Sequence, residues 1–124
     1  MKKVWNLLVT LLVIVGVMAV AFSVIIWKSS STIKDLPSEE VATYIGEHSV
    51  LYVQTGCIHC KEQEDLFGVN VKYLNIVDCV SSPENTQACI NADITATPTW
   101  IINGQKYTGV QTVDKLKELT GYQG

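Results

Sequence analysis

Arginine is absent from this chain, and proline and histidine are scarce, at three and two residues in 124. The nine cations are therefore all lysines, set against twelve carboxylates for a net charge of −3. Lys2, Lys3 and Lys28 flank a single apolar block, so the remainder of the chain is clearly acidic. Nothing in it forms the basic face that displaces counterions from a phosphate backbone, which excludes nucleic acid as a partner. Repeats and low-complexity tracts are also missing, and the length beyond the apolar block suits one compact domain.

Charge is missing altogether from Val4 to Trp27. At ~1.5 Å per residue a helix of this length spans a hydrocarbon core of ~30 Å with some tilt. Trp5 and Trp27 stand at the two ends, where aromatic rings favour the interface, and Lys2 and Lys3 favour a cytoplasmic N-terminus. The competing reading is a cleavable signal peptide ending near Ala19-Val20-Ala21, but apolar sequence runs on through Ile25-Ile26-Trp27. Residues 1–28 are accordingly expected to be a single-pass anchor, 29–37 a polar linker beginning Ser29-Ser30-Ser31-Thr32, and 38–124 an extracytoplasmic domain.

Within that domain Pro37-Ser38-Glu39-Glu40 predicts a helix start, followed by a buried strand over Ser49–Thr55. Cys57–Phe67 reads as a helix closing at Gly68, and Val71–Val77 as the next strand. Pro83–Asn91 is helical in character. Thr99–Ile102 and Gln105–Thr108 flank Asn103-Gly104, a strong hairpin signal. Val113–Leu119 forms a last amphipathic helix. The expected fold class is α/β, in the order α, β, α, β, α, β, β, α.

Strand, glycine, then Cys57-Ile58-His59-Cys60 opening a helix is an arrangement with chemical consequences. A cysteine at a helix N-terminus meets unpaired N–H groups and the positive end of the macrodipole, which favour its thiolate. Cys60, one turn on, is close enough to resolve a mixed disulfide formed at Cys57. His59 either donates a hydrogen bond or positive charge to that thiolate or is merely an exposed polar residue. Lys61 follows the motif where covalent haem attachment would need His. The ten-residue spacing of Cys79 and Cys89 does not supply the second close-set knuckle of a zinc site, so neither metal nor cofactor is expected. In an oxidising compartment that second pair defaults to a structural disulfide, with an electron relay as the alternative. Thr97-Pro98, directly before a strand, predicts a fixed turn.

Together these pieces resemble the thioredoxin family across residues 38–120. The tracts Tyr73-Leu74-Asn75-Ile76 and Ile94-Thr95-Ala96-Thr97-Pro98-Thr99 stand where that family has its central strand and its cis-proline loop. More narrowly, GCIHCKEQEDLFG, the Cys79/Cys89 pair, TPTWIINGQKYTGVQ and LKELTGY resemble the thioredoxin-like domain fused to bacterial vitamin K epoxide reductase homologues. The resemblance implies a thioredoxin-like fold, a cis Pro98 packed on a Cys57–Cys60 disulfide, Thr97 contacting incoming peptide, and a structural Cys79–Cys89 bond. It also implies oxidation of cysteine-containing secreted proteins, with electrons passed to a quinone-linked membrane partner. No four-helix quinone-binding segment accompanies the domain, so that partner is expected to be a separate chain. Two departures stand out. Ile58 replaces the usual Pro, and Leu51 occupies the position of a buried Asp, which argues against a dedicated reductase. The rival readings are a reductase or isomerase fed by a membrane electron donor and a non-catalytic, metal-handling module.

Overall fold

A computed structural model describes residues 1–29 and 36–124 of the chain, with the side chains of 24–29 left aside. Most of the expected linker, residues 30–35, lies outside the described residues. The chain divides into two compact units, Met1–Asp35 and Leu36–Gly124.

The first unit is one helix, α1 (Lys2–Ser29). Its stretch Lys2–Ser23 is long and apolar enough to cross a membrane, and none of it is buried against protein. Such a surface is stable in lipid and not in water, a property that membrane spans share with signal sequences.

The second unit begins with α2 (Glu39–His48). The Ser38 hydroxyl caps it by accepting the Val41 N–H at 3.3 Å, and Glu39 and Glu40 face the positive end of the helix dipole. The chain continues through β1 (Ser49–Val53), α3 (Ile58–Asp65), a 3-10 segment (Gly68–Tyr73), β2 (Ile76–Asp78), α4 (Pro83–Asn91), β3 (Thr99–Ile102), β4 (Gln105–Thr108) and α5 (Val113–Thr120). The strands form one mixed sheet in the order β2-β1-β3-β4. β1 is central, parallel to β2 and antiparallel to β3, with Leu51 opposite both Ile76 and Trp100. Asn103 and Gly104 both take positive φ in the β3–β4 turn, as a two-residue hairpin demands. This mixed sheet flanked by helices, preceded by the apolar α1, is the expected thioredoxin-like fold class.

Leu51 and Val53 alternate onto the buried side of β1 and meet Ile45, Phe67, Trp100, Ile102 and Leu116 in the core. Burying a side chain of this kind contributes ~1.5–3 kcal/mol. Gly46 lets α2 lie directly on the 3-10 segment, because a Cβ there would come within 2.1 Å of the Tyr73 carbonyl oxygen.

Three expected elements need correction. Of the strand expected over Val71–Val77, Val71–Tyr73 belong to the 3-10 segment, and Leu74 and Asn75 lie in neither element. Only Ile76 and Val77 are extended, in a β2 that runs to Asp78 at the edge of the sheet and not at its centre. Here Leu74 is buried and Val71 packs on the core from an irregular backbone, a burial that short apolar runs do not distinguish from a strand. The Asn70 side chain anchors the segment by donating to the Pro37 carbonyl at 2.9 Å. Helix α3 ends at Asp65, short of Phe67, because the Phe67 N–H turns to the Glu64 carbonyl and tightens the last turn. Finally, β1 stops at Val53 and not at Thr55, whose polar groups are drawn to Asp78 instead.

Candidate active site

The site is built where β1 ends and α3 begins. Gly56 takes φ of +86°, a conformation that strains residues with a Cβ, and so turns the chain from the sheet into the helix. Cys57 is the N-cap of α3, and its sulfur accepts the Cys60 N–H at 3.2 Å, satisfying one of the free donors of the first turn. Cys57 and Cys60 are joined in a disulfide with their Cα atoms 5.3 Å apart. The two sulfurs are not equivalent. Cys60 is 2% exposed, whereas Cys57 is partly open to solvent, so a thiolate arriving from outside reaches Cys57 first.

The second wall comes from the loop before β3. The Thr97–Pro98 peptide is cis and Pro98 is fully buried, which presents Thr97 to the reactive sulfur. The Thr97 hydroxyl lies 3.7 Å from Cys57 Sγ and its carbonyl oxygen 3.6 Å away. In the disulfide the sulfur has no proton, so the carbonyl contact is not a hydrogen bond. After reduction the two groups address different protonation states: the carbonyl accepts from a thiol, and the hydroxyl donates to a thiolate.

His59 stands apart from this arrangement. Its Nδ1 faces Glu62 Oε2 at 3.3 Å, its side chain is 75% exposed, and no hydrogen bond joins it to Cys57 among the described residues. Ile58, between the cysteines, is 82% exposed and offers an apolar surface beside the disulfide.

Cys79 and Cys89 form the second disulfide, Cα atoms 5.7 Å apart, tying the exit of β2 to α4. The Cys79 N–H extends the sheet by donating to the Val53 carbonyl at 2.9 Å, and the Thr86 hydroxyl holds the Cys79 carbonyl at 2.8 Å. A cleft of about 250 Å³ runs from Thr97 and Gln54 to this disulfide.

Three further residues matter that were not picked out from sequence. Gln63 is fully buried, three residues beyond Cys60 and so on the same inward face of α3. Its Oε1 accepts from Trp100 Nε1 at 3.0 Å and from the Gln111 N–H at 2.6 Å, while its Nε2 donates to the Gln111 carbonyl at 3.0 Å. It therefore locks α3 to β3 and to the segment before α5. Asp78 and Thr55 form a clasp between the ends of β2 and β1. The Asp78 carboxylate accepts from the Thr55 hydroxyl, from the Thr55 N–H at 3.2 Å and from the Val80 N–H at 3.1 Å. These donors, the Thr55 hydroxyl foremost, hold the Asp78 carboxyl below its ordinary pKa. The only sequence signal for the clasp is that both residues sit at the ends of adjacent parallel strands.

No family model matches the sequence. Among curated proteins, the thiol-disulfide oxidoreductase LTO1 of Arabidopsis thaliana is 36% identical over 78 residues, an alignment covering 58% of this chain and 21% of that protein. The chain thus spans about a fifth of the length of that relative. That similarity and the paired Cys57 and Cys60 support a thioredoxin-like family and a redox role for this site.

Proposed function

We propose that the chain is a membrane-anchored thiol–disulfide oxidoreductase that oxidises cysteines of secreted proteins. The observation carrying this reading is the asymmetry of the Cys57–Cys60 pair: an accessible sulfur at a helix N-terminus, supplied with donors, over a buried partner. A substrate thiolate attacks Cys57 Sγ, the bond to Cys60 breaks, and a second substrate thiol displaces Cys57 to complete the substrate disulfide. Donors aimed at Cys57 favour the thiolate and so the reduced pair, which makes the disulfide a stronger oxidant. Leu51, fully buried beneath the site, brings no carboxylate to oppose that bias. Thr97 and Pro98 form the wall against which the incoming peptide lies.

Reoxidation falls to a quinone-linked membrane partner, such as a vitamin K epoxide reductase homologue, as the sequence resemblance implies. Helix α1 serves as the anchor, with the N-terminus cytoplasmic and the domain on the extracytoplasmic side. It raises the local concentration of the domain near such a partner. Cys79–Cys89 braces the β2–α4 connection and stays closed through the cycle.

The test is the equilibrium redox potential of the full chain in detergent micelles, poised with glutathione buffers, with mass spectrometry of alkylated thiols following each pair. A Cys57–Cys60 potential well above thioredoxin's value of about −270 mV, with Cys79–Cys89 closed, is expected. A value at or below it overturns the oxidant in favour of the reductase, and joint titration of both pairs makes the second a relay.

A further inference from the structure

Resolving a mixed disulfide at Cys57 requires Cys60 to lose its proton, because only the thiolate attacks. Cys60 is almost wholly enclosed, and the apolar Leu51 and Val53 of β1 take no proton from it. A cleft of about 310 Å³ leads from Cys60 to polar groups, with Thr55, Lys61, Glu64 and Asp78 in its walls.

These groups are not alike. Lys61 is paired with Asp65, which raises its pKa and keeps it cationic, so it accepts no proton. Asp78 faces the cleft from β2, but its oxygens are already held by Thr55 and Val80. Thr55 spends its hydroxyl on the same clasp. Glu64 remains. It lies four residues beyond Cys60 on α3, hence on the same side of the helix, and is half-buried. Its carboxylate makes no hydrogen bond or ion pair among the described residues. The cleft is roomy enough for the water that would join the two.

We propose that Glu64 is the proton acceptor for Cys60, acting through water in this cleft. The inference rests on the redox reading of the site. In reoxidation the Cys57 thiolate attacks a partner disulfide, forming a mixed disulfide and releasing one partner thiolate. The Cys60 proton passes to the Glu64 carboxylate, and the Cys60 thiolate attacks Cys57 Sγ. The bond from Cys57 to the partner breaks, the second partner sulfur leaves as thiolate, and Glu64 releases the proton through the water of the cleft to that thiolate. Two electrons have moved from the Cys57/Cys60 dithiol to the partner disulfide. When the pair oxidises a substrate, the proton lost by the attacking substrate thiol passes through water to Glu64 and from it to the departing Cys60 sulfur.

The test uses the full chain in detergent micelles with Cys57–Cys60 reduced, and oxidised glutathione as the disulfide. Acid quenching, alkylation and mass spectrometry separate glutathionylation of Cys57 from its resolution by Cys60. Glu64→Gln is expected to slow resolution about tenfold near neutral pH, to leave glutathionylation within about twofold, and to make resolution more strongly dependent on hydroxide. Glu64→Asp should recover most of the rate. Like-charge repulsion alone predicts the opposite sign, since removing a neighbouring carboxylate favours the Cys60 thiolate and speeds resolution. Unchanged or faster resolution in Glu64→Gln, or equal slowing of both steps, would overturn the proposal while leaving the redox reading intact. Failure of the unaltered chain to form a mixed disulfide at Cys57 would remove both.

Discussion

Replacing Thr97 by Val keeps the shape of the residue and removes the hydroxyl that lies 3.7 Å from Cys57 Sγ. A hydrogen bond to a charged group is worth ~1.5–3 kcal/mol, and at this long sulfur distance ~1 kcal/mol is a reasonable share. The donor acts on the thiolate more than on the disulfide, so its loss disfavours the reduced, ionised state. About 1 kcal/mol corresponds to about fivefold less thiolate at a pH below the thiol's pKa and, at a pH above it where reduced Cys57 is ionised, to a potential lower by about 20 mV. The Thr97 carbonyl, 3.6 Å away, would then face the thiolate without a compensating donor, which works in the same direction. Alkylation of reduced Cys57 by iodoacetamide across pH measures the first quantity, and glutathione equilibration the second. Thr97→Ser, which keeps the hydroxyl, should stay near the unaltered protein in both. If Thr97→Val alkylates within about twofold of the unaltered chain and its potential moves by less than about 10 mV, the hydroxyl is not directed at the thiolate and the argument fails.

Gln63→Leu strands the Trp100 N–H in the core, at ~1–3 kcal/mol, and also removes the partner of the part-buried Gln111 N–H, so urea unfolding should show a loss of about 2–3 kcal/mol. Asp78→Ala opens the clasp on Thr55, and its effect should depend on pH. The folded carboxyl lies below its ordinary value of 3.8, so its stabilisation is present above that pH and fades as pH falls through the folded value. The gap in urea midpoint between the unaltered chain and Asp78→Ala should therefore narrow in acid; a gap that widens would contradict the clasp. Removing Cys79 and Cys89 together should lower stability by ~3 kcal/mol, as closing such a loop predicts, while the Cys57–Cys60 exchange rate persists. Loss of exchange in a folded double variant would give the second pair a relay role.

Much of the fold is readable from local chemistry. Ser82 and Pro83 mark the start of α4, Asn103-Gly104 marks the hairpin, and the apolar run before Gly56 places the cysteine motif on a strand–helix turn. These signals lie within a few residues of what they specify. The 3-10 segment escaped because its apolar residues have the composition of a strand, while its path is set by Gly46 and Pro37, more than twenty residues away. Gln63 and Asp78 escaped for the same reason: each is polar and ordinary until Trp100, Gln111 or Thr55 is brought beside it. The position of His59 between two cysteines suggested a partner in Cys57, yet a carboxylate one turn along its own helix holds its ring.

The separation of Cys57 from Thr97 by 40 residues bears on how the domain is made. Helix α3 has eight residues, too few to persist before the sheet supports it. During synthesis the two thiols of the motif therefore emerge as ordinary cysteines, without a helix terminus or a hydroxyl to activate them. Activation arrives when β3 pairs with β1, a contact between distant parts of the chain and hence late in folding. A nascent chain is thus shielded from its own chemistry, and its reactivity reports that the sheet has closed.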